Sequence, residues 1–287
     1  MSSPVSARPA SHRVESALRS FAHRSGAARS LLPAYDAVNK WRFRNKWQTP
    51  VTFRGGQFII GMDRSLYPSV RMGVFEADEF DWLLPQVRDG DCVWDIGANI
   101  GIYSVLFAAV ADVQVEAFEP WPDTARRLRV NLALNDVTNV TVRQHALSDV
   151  DGELRFSADP TAPGCNHVDV NGSVTVSAHT PAHVLDAGAG VPDVIKIDVE
   201  GHEPHVLNAM KDLIVRHRPV ILTEVNPMII SRQQWDESWV PLLDWLFDVY
   251  GTAAWFAHDR VVPVSSLSWE TAQTWPRPAS LGFSDRP

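Results

Sequence analysis

Two cysteines, Cys92 and Cys165, are all that the 287 residues contain, too few for a disulfide framework. A reducing, cytoplasmic setting is therefore the expectation. No apolar run approaches the roughly 18 residues that a membrane span needs, and the first residues lack the apolar segment of a secretory signal. Basic charge is scarce outside the N-terminal region. Residues 1–54 hold ten Lys/Arg against two acids, Glu15 and Asp36, so the remainder carries 16 basic and 32 acidic side chains. That balance argues against a nucleic-acid partner, which would require a basic face. There is also no internal repeat.

Residues 1–50 form a basic extension rich in Arg, Ser and Ala, the composition of an organellar transit peptide as well as of a basic amphipathic arm. Helical spacing of Val14, Leu18, Phe21 and Ala22 predicts a helix from His12 towards Leu32, suited to pack on the main domain or to make a homodimer. Residues 51–90 read as a lead-in hairpin turning at Gly55-Gly56, followed by a helix bearing Phe80, Leu83 and Leu84.

From residue 91 to 264 apolar strands alternate with helical segments, the signature of βαβ units and a doubly wound, mostly parallel α/β sheet. Strands are expected at 92–96, 113–119, 140–147, 193–199 and 219–225, and helices at 101–110, 122–135, 203–216 and 233–247. Between His145 and Asp193 short alternating runs separated by Gly, Pro and Asn predict an inserted hairpin or lid. Residues 249–264 supply one or two further strands, antiparallel at an edge, and the Trp- and Pro-containing tail 265–287 reads as a loop over the domain.

The chemistry concentrates in two stretches. In the first, D-C-V-W-D-I-G-A-N-I-G-I-Y-S, a strand ends in Asp95, a turn carries Gly97, Asn99 and Gly101, and the following helix leads to a second strand closed by Glu119. Dinucleotide sites use G-x-G-x-x-G to hold a pyrophosphate on backbone N–H groups. The pattern here is D-x-G-x-N-x-G. A carboxylate at that point is a poor neighbour for pyrophosphate but suits S-adenosylmethionine, whose ammonium and sulfonium groups are positive. The glycines would let the backbone approach the cofactor closely. Glu119 is placed to accept hydrogen bonds from ribose hydroxyls, a role that NAD enzymes share. Ser148 and Asp149, after the third strand, would edge an adenine ring or simply turn the chain into the hairpin near Gly152.

In the second stretch, V-I-K-I-D-V-E-G, Lys196 and Asp198 share a strand face, and Asp198, Glu200 and His202 crowd its C-terminal end, where open α/β sheets bind ligands. Glu200 or His202 could instead cap the helix that begins near Glu203-Pro204. Glu224, ending the fifth strand, joins the same rim.

D-I-G-A-N-I-G-I-Y-S, A-F-E-P-W-P with L-R-V-N-L-A-L-N, H-A-L-S-D and K-I-D-V-E-G-H-E, in that order across about Phe75 to Asn226, resemble the FkbM-type S-adenosylmethionine-dependent methyltransferases. The resemblance implies a class I methyltransferase fold, a seven-stranded sheet whose last strand is antiparallel, and methyl transfer to a hydroxyl of a sugar or polyketide-type natural product. It places Asp95, Gly97, Asn99, Gly101 and Glu119 at cofactor positions, Ser148 and Asp149 at the adenine edge, and Asp198 and Glu200 at the active-site rim.

An aliphatic hydroxyl needs a general base or a metal to help remove its proton. His202 is the candidate base with Asp198 or Glu200 as its partner, His167 in the inserted loop is a competing base, and Asp198, Glu200 and Glu224 could hold Mg2+ through oxygen ligands. The alternatives are an NAD-dependent oxidoreductase on a similar sheet, and a non-catalytic scaffold that has kept the cofactor fold.

Overall fold

The computed structural model describes residues 50–286 apart from 61–65, 67–68, 71–72, 74, 159–165, 228, 258–259 and 274–278. The predicted N-terminal helix, the basic extension and any subunit contact through it lie outside the described residues, as does Cys165.

The chain enters through a hairpin, β1 (Val51–Phe53) and β2 (Gly56–Phe58), and a short helix α1 (Ala77–Leu83). The hairpin turns at Arg54-Gly55, both with positive φ, one residue before the predicted glycine pair. The first βαβ units follow as β3 (Cys92–Ile96), α2 (Ile102–Val110), β4 (Gln114–Phe118), α3 (Pro122–Leu134) and β5 (Val140–Arg143). The inserted segment folds as β6 (Ala146–Leu147), β7 (Gly152–Ser157), β8 (His167–Val168), β9 (Val174–His179) and helix α4 (Pro181–Asp186). The wound sheet then resumes with β10 (Val194–Ile197), α5 (Glu203–Ala209), α6 (Lys211–His217) and β11 (Val220–Val225). A π turn at Trp235–Trp239 leads into α7 (Val240–Tyr250), and β12 (Ala253–Ala257), β13 (Arg260–Val264), α8 (Trp269–Gln273) and β14 (Ala279–Phe283) close the chain.

The main sheet has the order β13-β12-β14-β11-β10-β3-β4-β5. Strands β5, β4, β3, β10 and β11 are parallel, and β14 is antiparallel to both β11 and β12. This is a doubly wound α/β sheet of the class I methyltransferase type, with eight strands rather than seven because β13 adds an antiparallel edge. Two antiparallel steps leave β12 parallel to β11, so only β13 matches the expected antiparallel edge.

The tail corrects the sequence reading most. Residues 279–283 are not an overlying loop but an interior strand, with Leu281 and Phe283 fully buried. The run A-S-L-G-F is short and isolated behind prolines, and its pairing partners lie more than 50 residues upstream on one side, so periodicity gives little sign of it. Its Gly282 is required by space, since a Cβ there would lie 2.6 Å from the Trp82 ring.

Three element boundaries also shift. The predicted strand 140–147 divides, because β6 leaves the main sheet to pair with β9. The predicted helix 203–216 breaks at Met210 into α5 and α6. The predicted helix 233–247 starts one residue earlier, at an α-helical turn (Arg232–Gln234) capped by Ser231, passes through the π turn and continues to Tyr250.

Alternation along the central strands feeds two cores. Trp94, Ile195 and Ile221 face a layer with Val206, Leu207 and Leu242, while Val93, Val194 and Val220 face Leu106, Phe107 and Leu128. Val51, Phe53 and Phe58 of the hairpin belong to that second core together with Phe80 and Leu83 of α1, so the hairpin and α1 are part of the same packed body. The asparagines of N-L-A-L-N sew the hairpin down. Asn131 accepts from the Ile59 N–H at 2.8 Å and donates to the Ile100 carbonyl at 2.8 Å, and Asn135 makes the equivalent pair of bonds to Gln57. Asn131→Ala is expected to cost about 1–3 kcal/mol in denaturant unfolding, the penalty of orphaning backbone groups in a buried site. No measurable loss would mean that these bonds do not hold the hairpin. Among the described residues no helix is long and apolar enough to cross a membrane.

Candidate active site

The C-terminal ends of β3, β4 and β10 open onto a cleft of about 610 Å3, its mouth included. Gly97, Asn99, Glu119, His167, Asp198, Glu200 and His202 line it, as do Phe118, Leu147, Phe156, Asn166 and Val168. Seven of the sequence-predicted site residues are thus brought together. Asp95, Gly101, Ser148 and Asp149 are not in the lining, the first three being buried and Asp149 exposed.

Asp95 differs most from expectation. Its carboxylate is fully buried, accepts a 2.5 Å hydrogen bond from the Ser104 hydroxyl, and has Oδ1 3.9 Å from the Lys196 ammonium. Burial raises its pKa, against the opposing pull of Lys196 and Ser104. Asp95 therefore braces the floor of the site instead of facing the cleft.

Space within the protein itself requires both glycines. Gly97, at φ 74°, would place a Cβ 1.8 Å from the Asp198 carbonyl oxygen, and Gly101, at φ 84°, would place one 2.9 Å from Leu128. Both positions are dictated by close approach of protein to protein, strand end to strand end and helix to helix. Asn99, at φ 50°, takes the third left-handed position of the turn.

Glu119 is held rigidly. One carboxylate oxygen accepts from the Asn99 N–H at 3.0 Å and the other from the Trp121 N–H at 2.9 Å. Burial nevertheless pushes its pKa up to about 7, more than these bonds lower it. Asn99 Oδ1, on a cleft-lining residue, is buried with no hydrogen-bond partner among the described residues.

Among the described residues Lys196 is the cation that meets the acids of this floor, and its position inside an apolar strand was the signal available in the sequence. Its ammonium donates to the Gly97 carbonyl at 3.1 Å and to Asp198 Oδ2 at 3.3 Å, and it lies 5.2 Å from the Tyr103 ring centre. Burial works to lower its pKa, but Asp198, Asp95 and Glu76 outweigh this and hold it above the ordinary lysine value. Tyr103 donates to Glu76 at 2.6 Å, which brings in an acid that sequence spacing alone could not place, since it lies upstream of the first sheet strand.

Oxygens of Asp198, Glu200 and Glu224 lie within 4.8 Å of one another. Burial, then the Asp198 charge, pushes Glu200 up to about 7. Glu224 rises well above the usual carboxylate range for the same reasons, and its Oε2 is buried with no hydrogen-bond partner among the described residues. Glu200 is also a non-glycine residue at φ 53°. That unfavourable conformation is fastened by buried Glu203, which accepts from the Val199 and Gly201 N–H groups at 2.9 and 3.0 Å. The alternative capping roles for Glu200 and His202 are not seen: His202 occupies the N-cap position of α5 without a side-chain capping bond, and Glu203 does the tying.

His202 Nε2 lies 2.9 Å from Ser148 Oγ, and its ring stacks on His205 at 4.5 Å. Burial, reinforced by His205, pushes its pKa down to about 4. Ser148 donates to Asp149, whose other oxygen meets His205 Nδ1 at 3.0 Å. His202 is thereby tied to the Ser148-Asp149 corner. His167 reaches the cleft from β8, on the wall that Phe156 and Asn166 share.

Comparison with known proteins finds methyltransferases. Hexuronic acid methyltransferase AglP of Haloferax volcanii is 35% identical over 141 residues, covering 48% of this chain and 58% of that protein. 31-O-demethyl-FK506 methyltransferase FkbM of Streptomyces tacrolimicus is 42% identical over 79 residues, 27% of this chain and 30% of that protein. The alignments thus span under two thirds of either relative. A solved methyltransferase FkbM from Methylobacillus flagellatus superposes with a TM-score of 0.42 at 14% identity, over 77% of this chain and 54% of that one. The methyltransferase FkbM domain matches residues 95–254, more than half of the chain and all of the glycine turn, acidic rim and inserted sheet. The chain belongs to the FkbM methyltransferase domain family.

Proposed function

We propose that this protein is an S-adenosylmethionine-dependent O-methyltransferase acting on a hydroxyl of a sugar, glycan or polyketide-type acceptor. The observation that carries the reading is the acidic rim of the cleft, where Asp198 and Glu200 stand in the lining and Glu224 brings an oxygen within 4.8 Å of theirs. Such a rim favours a cationic ligand and repels a pyrophosphate, which counts against the NAD-dependent alternative. The intact acidic rim likewise counts against a scaffold without turnover. The hexuronic acid named for the Haloferax volcanii relative makes sugar acids a sensible first class of acceptor to try.

S-adenosylmethionine supplies an electrophilic methyl group on a positively charged sulfur. Glu119 would hold its ribose, since the two backbone N–H groups fix the carboxylate while leaving lone pairs for hydroxyl donors. Asn99 Oδ1 offers a further acceptor, and Phe118 and Leu147 offer apolar faces to the base. The chain's part in the transfer is to align donor and acceptor in line, exclude water and take up the hydroxyl proton. Glu200 is the carboxylate poised for that proton at neutral pH, and His202 and Asp198 position the rim around it.

Calorimetry with S-adenosylmethionine is expected to show binding by the wild type and an affinity about 10- to 100-fold weaker for Glu119→Ala, roughly 1.4–2.8 kcal/mol. A wild type that does not bind the cofactor would sink the proposal. A second reading, Mg2+ assistance, is favoured by the unpartnered Glu224 Oε2. Turnover lost in EDTA and restored by Mg2+, with cofactor binding intact, would support it, and turnover indifferent to EDTA would remove it.

A further inference from the structure

Outside the cleft, one face of the inserted sheet gathers Asp151, His179 and His183, with a ligating atom of each lying within 4.8 Å of the others. Asp151 precedes β7, His179 ends β9 and His183 sits four residues later in α4, so the start of one strand meets the turn between the end of another and the helix after it. Both histidines present Nδ1 to the same carboxylate oxygen, His183 at 3.2 Å and His179 at 3.4 Å.

Those spacings are long for an imidazolium–carboxylate hydrogen bond, which closes to about 2.7–2.9 Å. They match what a tetrahedral cation imposes. Bonds of about 2.0–2.1 Å to nitrogen and 2.0–2.2 Å to oxygen put neighbouring ligand atoms about 3.4 Å apart. The surroundings are those of a ligand set held in place from behind. Asp151 accepts from the Thr180 N–H at 3.0 Å and from its hydroxyl at 3.2 Å, and the far nitrogen of His179 lies 3.4 Å from Ser177 Oγ. The His145 ring packs edge-on against His179 at 4.6 Å. The neighbouring group Asp149, His202 and His205 differs in kind. There His202 Nε2 is engaged by Ser148 at 2.9 Å and the His205–Asp149 contact is an ordinary 3.0 Å hydrogen bond.

We propose that Asp151, His179 and His183 form a binding site for a first-row transition cation of the zinc type. Two imidazoles and one carboxylate are the donor set such ions prefer over Mg2+ or Ca2+. The ion would clamp the start of β7, the end of β9 and α4 together, and so stiffen the sheet whose other residues, Phe156 and His167, wall the cleft. The site is independent of the transfer chemistry.

The test is titration of the full-length, metal-stripped protein with Zn2+ by calorimetry and with Co2+ by visible absorption. About one ion per chain is expected, with the strong d–d absorption of a tetrahedral Co2+ site. His183→Ala and Asp151→Asn should each weaken Zn2+ binding by about 100-fold or more, while His205→Ala leaves it unchanged. Circular dichroism of each variant establishes that it is folded, and His183 is exposed enough for alanine to be tolerated. Absence of stoichiometric Zn2+ binding by the wild type, retention of binding by folded His183→Ala and Asp151→Asn, or loss of binding in His205→Ala would each overturn the proposal.

Discussion

Replacing Lys196 by methionine is expected to destabilise the protein by about 3–5 kcal/mol at neutral pH, the usual consequence of removing one partner of a buried ion pair. At roughly 2–4 °C per kcal/mol for a domain of this size, the melting temperature should fall by about 6–20 °C. Lys196 is 6% exposed and supports Asp95 and Asp198, of which Asp95 has no contact with solvent. Methionine fills the volume of the lysine stem, so the loss isolates the charge. The sign of the pH dependence separates this from a packing defect. Without the ammonium, the folded state holds Asp95 as an acid of raised pKa, and such a group costs stability as pH rises above its unfolded value near 4. The deficit of Lys196→Met should therefore be largest at neutral pH and shrink as pH falls towards 4. A deficit independent of pH would refute the electrostatic account.

Glu200→Gln is expected to lower single-turnover methyl transfer by about 10²–10⁴-fold, the range for loss of a positioned general base. The wild-type rate should rise with pH through about 7, where burial and the Asp198 charge place the Glu200 pKa, because only the ionised carboxylate accepts the proton. In the glutamine variant that rising limb should disappear. His202→Ala and His167→Ala are the comparisons. With its imidazole already neutral at pH 7 and tied to Ser148, His202 is expected to affect cofactor affinity more than the pH profile. If Glu200→Gln keeps the wild-type rate and the rising limb vanishes instead in His167→Ala, the base is the histidine of the inserted sheet.

Much of the scaffold follows from local pattern. The central strands are apolar on both faces, and the glycine turn needs left-handed backbone at Gly97, Asn99 and Gly101, so β3, α2, β4, α3, β10 and β11 stand close to where periodicity places them. Acids at the ends of β4, β10 and β11 marked the rim, since polar residues are unexpected directly after buried strands. Those inferences need only the neighbours of each residue along the chain.

Other features depend on partners far away in sequence. Residues 279–283 become an interior strand because the open edge of β11 and the return of β12 leave a slot that an antiparallel segment fills. Asp95 is buried and braced because Ser104 and Lys196 converge on it from two other elements. Glu76 enters the charge balance through burial beside Asp198 and Lys196 and through its bond from Tyr103. The sequence by itself determined the α/β class, the family and the acidic character of the site, because these depend on composition and spacing. Which carboxylates face the cleft, which are buried against Lys196, and which histidines meet Asp151 were decided by tertiary structure alone. Burial and long-range pairing set the ionisation of each group, and no stretch of chain carries that information locally.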